Sequence, residues 1–148
     1  MRYSAVSGTN SGYRLRIARR DYGVIEGHAR SGLPNESCGL IAGRVEGFVK
    51  IVERVYPLTN IDSSEEHFTI EPHEQLRAIL DMRKSGLVPL GNFHSHPNTP
   101  ARPSDEDIRL ALDPSASYLI ISLASETPVM RAFHIESGIA AAEEIEIV

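Results

Sequence analysis

The chain has a single cysteine, Cys38, and no tryptophan in 148 residues. A lone cysteine excludes an internal disulfide and makes a reducing cytoplasm the expected location. It also excludes the structural zinc sites that need four cysteines, or two cysteines with two histidines. The Pro-Cys-x-x-Cys ligand pair of zinc deaminases acting on nucleobases is excluded for the same reason. Positive charge is short as well: 15 Lys and Arg stand against 20 Asp and Glu, a formal net charge of −5. That balance argues against nucleic acid as a partner, because phosphate binding needs a basic surface. No apolar run approaches a membrane span, so no membrane partner is expected, and the first residues lack the apolar core of a secretory signal. Any metal here would rest on histidine and carboxylate, the ligand set of catalytic rather than structural zinc.

What is present reads as one domain, long enough to bury a core without staples. Residues 1–12, MRYSAVSGTNSG, are rich in Ser and Gly and expected to form a flexible N-terminus, with the folded domain over 13–148. Strands are expected over 13–18, 37–45, 47–58, 87–94, 117–124, 128–135 and 139–148, with Gly47 turning the second pair into a hairpin. Gly39 and Gly43 would let another backbone approach their strand closely. Helical spacing of Tyr22, Ile25 and Ala29 predicts a helix over 19–31. The clearest helix covers 70–86, with Pro72 in its first turn, Arg and Lys at its end and Gly86 to stop it. SDEDIRLALD (104–113) reads as a short helix closed by Pro114. The order predicts a compact mixed α/β domain: a mixed sheet flanked by two main helices, plus the short one. It is too irregular for a doubly wound parallel sheet.

The chemistry concentrates in HSHPNTPARPSDED, from His94 to Asp107. Residues i and i+2 of a strand share a face, so His94 and His96 converge if the strand persists to Pro97. Two imidazoles so placed form half of a zinc site, and Pro97 would end the ladder and leave the metal at the rim of the sheet. Three prolines stiffen the return loop, which delivers Ser104 to a helix start and turns Asp107 back as a third ligand. A rival reading needs no metal: Ser104 and Asp107 are also the two ends of a helix capping box, worth about 1 kcal/mol. Glu36, taken alone, reads equally as a surface acid on a loop. Cys38 reads as a small buried hydrophobe, and His28, His67, His73 and His134, which show no partner spacing, as surface or satisfied core residues.

Taken together, His94-x-His96-Pro97, a spacer, Ser104-x-x-Asp107 with ten residues between His96 and Asp107, and Glu36 ahead of a Gly-containing strand in NESCGLIAG resemble the JAMM (MPN+) zinc metalloproteases. The order of elements along nearly the whole chain is similar too, and the absence of large insertions resembles the minimal prokaryotic form. The resemblance implies one Zn2+ per chain on His94, His96 and Asp107. Glu36 would be the general base that takes a proton from the attacking water and passes it to the leaving amine. Ser104 would help hold the scissile carbonyl oxygen as negative charge develops. The implied reaction is hydrolysis of an amide after the C-terminal tail of a ubiquitin-like or sulfur-carrier protein, which would be the substrate and partner. The oligomeric state stays open, a homodimer included. The alternative from another class is a catalytically silent MPN-type interaction scaffold, whose members lack one or more of these ligands; this chain lacks none.

Overall fold

The computed structural model describes residues 6–7 and 12–148. Elements follow in the order β1 (Val6–Ser7), β2 (Arg14–Ile17), α1 (Arg19–Ser31), β3 (Cys38–Glu46), β4 (Val49–Leu58), α2 (Pro72–Lys84), β5 (Val88–His96), α3 (Asp105–Arg109), β6 (Ser117–Ser122), β7 (Val129–Glu136) and β8 (Ile139–Ile147). The expectation of a flexible segment over residues 1–12 lies outside the described residues, except that Val6–Ser7 pairs in parallel with Ala140 and Ala141 and Gly12 turns into β2.

The sheet is mixed, as the sequence predicts, but it does not lie open between two helices. Its neighbours run β8-β2-β4-β3-β5-β6-β7, and β7 pairs back onto β8, so seven strands close into a barrel-like ring. β8 makes this closure by pairing antiparallel with β7 through Ile139–Glu143 and in parallel with β2 through Glu144–Ile147. A strand's apolar period shows that it has a buried face and does not show who its neighbours are, so closure is not visible in the pattern.

Alternation along the strands builds two surfaces. Ile41, Val52, Phe93, Leu119, Ile121 and Ala132 point inward, where Ile25 and Ala29 of α1 complete the main core. Leu40 and Ala42 point outward under Ala78 and Met82 of α2. Ile120, Phe133 and Ile135 also point outward, under Ile108 of α3. The seam between these two outer clusters carries the strand end that holds His94 and His96.

Local signals act as the sequence suggests. Gly47, at φ +61°, turns β3 into β4. Gly39 has no room for a side chain, since a Cβ there would overlap the Phe93 ring and the Tyr56 carbonyl. In α2 the Glu71 carboxylate accepts the Glu74 N–H at 2.7 Å, Pro72 occupies the first turn, and Gly86 follows the end at φ +70°. α3 is shorter than expected. Beyond Leu110 the chain turns instead, with Asp113 accepting the Ser115 N–H at 2.9 Å and its own N–H donating to the Tyr118 hydroxyl. No helix among the described residues is long and apolar enough to cross a membrane.

Candidate functional site

β5 stays extended through His96, paired with β6 as far as Ser122 and with β3 as far as Cys38. His94 and His96 therefore share the outer face, and both are almost fully buried. After Pro97 the loop is pinned: Ser122 donates to the Thr99 carbonyl at 2.6 Å, and His96 Nδ1 donates to the Pro100 carbonyl at 2.8 Å. A carbonyl only accepts, so His96 Nδ1 carries hydrogen and the neutral ring presents a lone pair at Nε2. Fixing one ring nitrogen so that the other faces the metal is the arrangement found around ligating histidines.

Asp107 completes a triangle. His94 Nε2 and His96 Nε2 are 3.1 Å apart, and Asp107 Oδ2 lies 3.2 and 3.3 Å from them. Ligands about 2.0–2.1 Å from a tetrahedral zinc stand about 3.3 Å from one another, so the three atoms fit three corners of such a site. The donor set fits as well. Lone pairs of two imidazoles and a carboxylate converge on one point, an arrangement these groups cannot satisfy among themselves without a proton or a cation. Burial works to raise the Asp107 pKa, but when positive charge sits at this point, as a proton on His94 with hydrogen bonding from the protonated His94 and His96 rings and from the Ser104 backbone, it outweighs burial and holds the carboxyl well below the ordinary range.

The cap and the triangle prove compatible. Ser104 N–H donates to Asp107 Oδ2 at 2.9 Å and Asp107 N–H donates to Ser104 Oγ at 3.1 Å, so the capping box is present. The same Oδ2 faces the histidines. Capping thus aims the carboxylate, and Ser104, only 2 % exposed, keeps its own hydroxyl hydrogen to donate.

Glu36 is not a loose surface acid. Its neighbour Ser37 accepts the Ser95 N–H at 2.9 Å, which extends the β3–β5 register and sets Glu36 opposite His96. It is 3 % exposed, and its Oε1 is buried without a protein partner. Burial first, then the negative charges of Asp107, Glu106 and Glu66, pushes its pKa up to about 9. A cation in the triangle would oppose those charges and favour the ionised carboxylate. Cys38, opposite His94, is buried; that burial, then the charges of Glu74, Glu36 and Asp62, pushes its thiol up to about 12, so it packs as a neutral side chain.

Several residues that shape the site carry no signal in the sequence. Asn60 donates to the Glu36 carbonyl at 3.0 Å and to the His67 carbonyl at 2.9 Å, and its Oδ1 accepts the N–H groups of Asp62 and Thr69. It ties the polar loop to the segment that carries Glu36. His28 Nε2–H donates to the Cys38 and Leu58 carbonyls at 3.0 and 2.9 Å, bracing the same segment from α1. Phe68 stacks on His94 with ring centroids 4.6 Å apart. His67 pairs with Glu106 at 2.7 Å, linking the polar loop to α3 across the mouth of the site. Their partners are distant in sequence, so no spacing announces them.

Residues 20–136 match the prokaryotic homologues of the JAB domain. The CysO-cysteine peptidase of Mycobacterium tuberculosis is 34% identical over 122 residues, covering 82% of this chain and 82% of that one. A probable TtuB-protein conjugate cleaving protease of Thermus thermophilus is 33% identical over 135 residues, covering 88% and 84%. The solution structure of protein DSY2949 from Desulfitobacterium hafniense is similar with a TM-score of 0.84 and 55% identity, over 90% of this chain and 92% of that one. Family match, relatives and fold agree, and the chain belongs to the prokaryotic JAB family.

Proposed function

We propose that the protein is a zinc-dependent peptidase that hydrolyses the amide after the C-terminal tail of a ubiquitin-like or sulfur-carrier protein. The observation that carries this reading is the triangle of His94, His96 and Asp107, with edges of 3.1–3.3 Å, facing a buried Glu36 across two paired strands. Zinc, when bound, would polarise the scissile carbonyl and make a water nucleophile available near neutral pH. The chain's own residues supply the rest. His94, His96 and Asp107 hold the ion, and the Pro100 carbonyl keeps His96 in the ligating tautomer. Glu36 takes a proton from the attacking water and delivers it to the departing amine, so that the C–N bond breaks with the amine neutral. Ser104 donates its hydroxyl toward the carbonyl oxygen as charge builds there.

The substrate class draws on the relatives, which are named for acting on CysO-cysteine and on TtuB–protein conjugates. A flexible tail suits a site walled by the 59–71 loop on one side and α3 on the other. Small residues before the cut, such as a Gly-Gly pair, would let the backbone pass close to the ligands. The lone buried thiol fits work in a reducing cytoplasm. The test is incubation of zinc-loaded protein with carrier-tail fusions, read by intact mass, with Glu36→Gln as control. Cleavage directly after the tail, absent in the control, supports the reading. Cleavage within folded regions, or of unfolded proteins without preference, overturns it.

A further inference from the structure

The outer face of β5 carries three polar side chains in a row, Asn92, His94 and His96, at the two-residue period of a strand. The histidines belong to the triangle. Asn92 does not, and its neighbours on the flanking strands are Leu40 of β3 and Tyr118 of β6. The Tyr118 hydroxyl is engaged with Asp113, donating to its carbonyl at 3.1 Å. Asn92 Oδ1 is buried without a partner, and Nδ2 has none among the described residues. Asparagine is disfavoured inside a strand, and its unmade hydrogen bond is a cost that an apolar side chain would avoid. Asn92 also stands where two hollows meet. One, of about 60 Å³, is bordered by His94, Asp107, Glu66 and Glu106. The other, of about 170 Å³, lies between Ile79 and Met82 of α2 and the turn that holds Asp113 and Ser115. Asn92 and Tyr118 line both, which sets the hollows end to end along β5, leading away from the triangle.

Resting on the peptidase reading above, we propose that Asn92 grips the backbone of the substrate tail at the third residue from its end. Glu36, opposite His96, hands its proton to the departing amine, so the amine lies at that end of the site. The tail then runs the other way, from His94 toward Asn92, in the direction of the two hollows. An extended residue presents its N–H and C=O on the same side, and the pattern repeats at every second residue. The last tail residue turns its carbonyl toward the triangle. The third from the end, about 6–7 Å back, turns its N–H and C=O the same way and meets Asn92. A carboxamide matches that pair, with Oδ1 accepting the N–H and Nδ2 donating to the carbonyl. The terminal torsion of asparagine is soft, so a turn of the amide brings Oδ1 out to the tail. Side chains of the tail take no part. The grip selects an extended backbone and leaves the choice of residue types to other parts of the site.

The experiment pairs a backbone substitution in the tail with a substitution at Asn92. Carrier-tail conjugates are made with an ester in place of the N–H of the third residue from the end, or of the second. Both, with the all-amide conjugate, are assayed with zinc-loaded wild type and Asn92→Leu, and with Asn92→Ala should the leucine variant fold poorly. Asn92→Leu removes both hydrogen-bonding atoms at similar volume, so KM should rise about tenfold, the scale of one or two hydrogen bonds, with kcat and zinc content nearly unchanged. The third-position ester should raise KM severalfold in wild type and no further in Asn92→Leu. The second-position ester should affect both alike. In parallel, fluorescence anisotropy reads binding of the uncut all-amide conjugate, which should be about tenfold weaker to Glu36→Gln/Asn92→Leu than to Glu36→Gln. An unchanged KM in Asn92→Leu, a wild type indifferent to the third-position ester, or losses that simply add overturns the grip and leaves the peptidase reading standing. A purely structural role for Asn92 gives that additive result, together with a lower Tm. No cleavage by wild type, with the tenfold loss of binding still present, overturns the peptidase reading and leaves the grip. No cleavage and no difference in binding overturns both.

Discussion

Two clusters of buried polar side chains occupy opposite faces of the same sheet. On the inner face Lys50 donates to the Ser115 carbonyl at 2.7 Å and to Ser117 Oγ at 2.8 Å, and Ser117 donates to Glu143 at 2.6 Å. On the outer face stand His94, His96, Asp107 and Glu36. Both clusters are nearly dry, and both hold a serine beside titratable groups. The difference lies in how their hydrogen bonds close. The inner chain runs from cation through hydroxyl to carboxylate and is neutral as a whole. Each leaves one carboxylate oxygen without a partner, Glu143 Oε2 inside and Glu36 Oε1 outside, but only the outer one aims three lone pairs at a single point and borders a cavity. Burial of polar groups therefore does not mark a site. Convergence that the protein cannot satisfy by itself does.

The largest expected effect tests the outer cluster. Glu36→Gln keeps shape and hydrogen bonding and removes the basic oxygen, so turnover should fall by about 10²–10⁴ while fold and zinc content stay. Near-normal activity would take proton transfer away from Glu36. The inner cluster should respond in stability instead. Glu143→Leu strands the Lys50 charge and should cost about 3–5 kcal/mol by denaturant unfolding, with zinc binding retained. Lys50→Met in the same chain should restore much of that loss, since matched apolar replacement of a buried pair is often close to neutral. Zinc loss in Glu143→Leu while the chain remains folded would mean that the two clusters are coupled.

Ser104 belongs to both kinds of structure and sharpens the contrast. As a cap alone, Ser104→Ala should cost about 0.5–2 kcal/mol of stability and leave kcat of the folded enzyme intact. As an oxyanion donor too, it should also lower kcat by about 10²–10³, and we expect both effects. Ser104→Asp separates them further, because a carboxylate caps well and repels a developing oxyanion; stability should hold while activity collapses. The smallest effect belongs to His67→Ala. Its half-exposed pair with Glu106 should contribute no more than about 1 kcal/mol to stability, read as a small shift in Tm.

Much of the outer cluster is legible in the sequence because its parts are local. His94 and His96 share a face by strand period, and Ser104 and Asp107 meet across one helical turn. Glu36 is different: only the motif order ties it to a stretch more than fifty residues away, and the β3–β5 register supplies the physical reason. Asn60, His28 and Phe68 reach their partners through tertiary structure alone. Lys50 is less visible still, since nothing in GFVKIVE marks its lysine for burial. It turns inward because β4 pairs with β2 on the side where Leu15 is buried. Closure of the sheet stays hidden for a related reason: β8 uses its two halves for two different partners.

The most direct measurement is zinc content by elemental analysis of purified wild type, His96→Ala and Asp107→Ala, with circular dichroism on the same preparations. Wild type should hold about one equivalent, and both folded variants should lose it. Full retention of zinc in both variants, or no zinc in folded wild type supplied with the ion, would contradict the assignment of these side chains as the metal site.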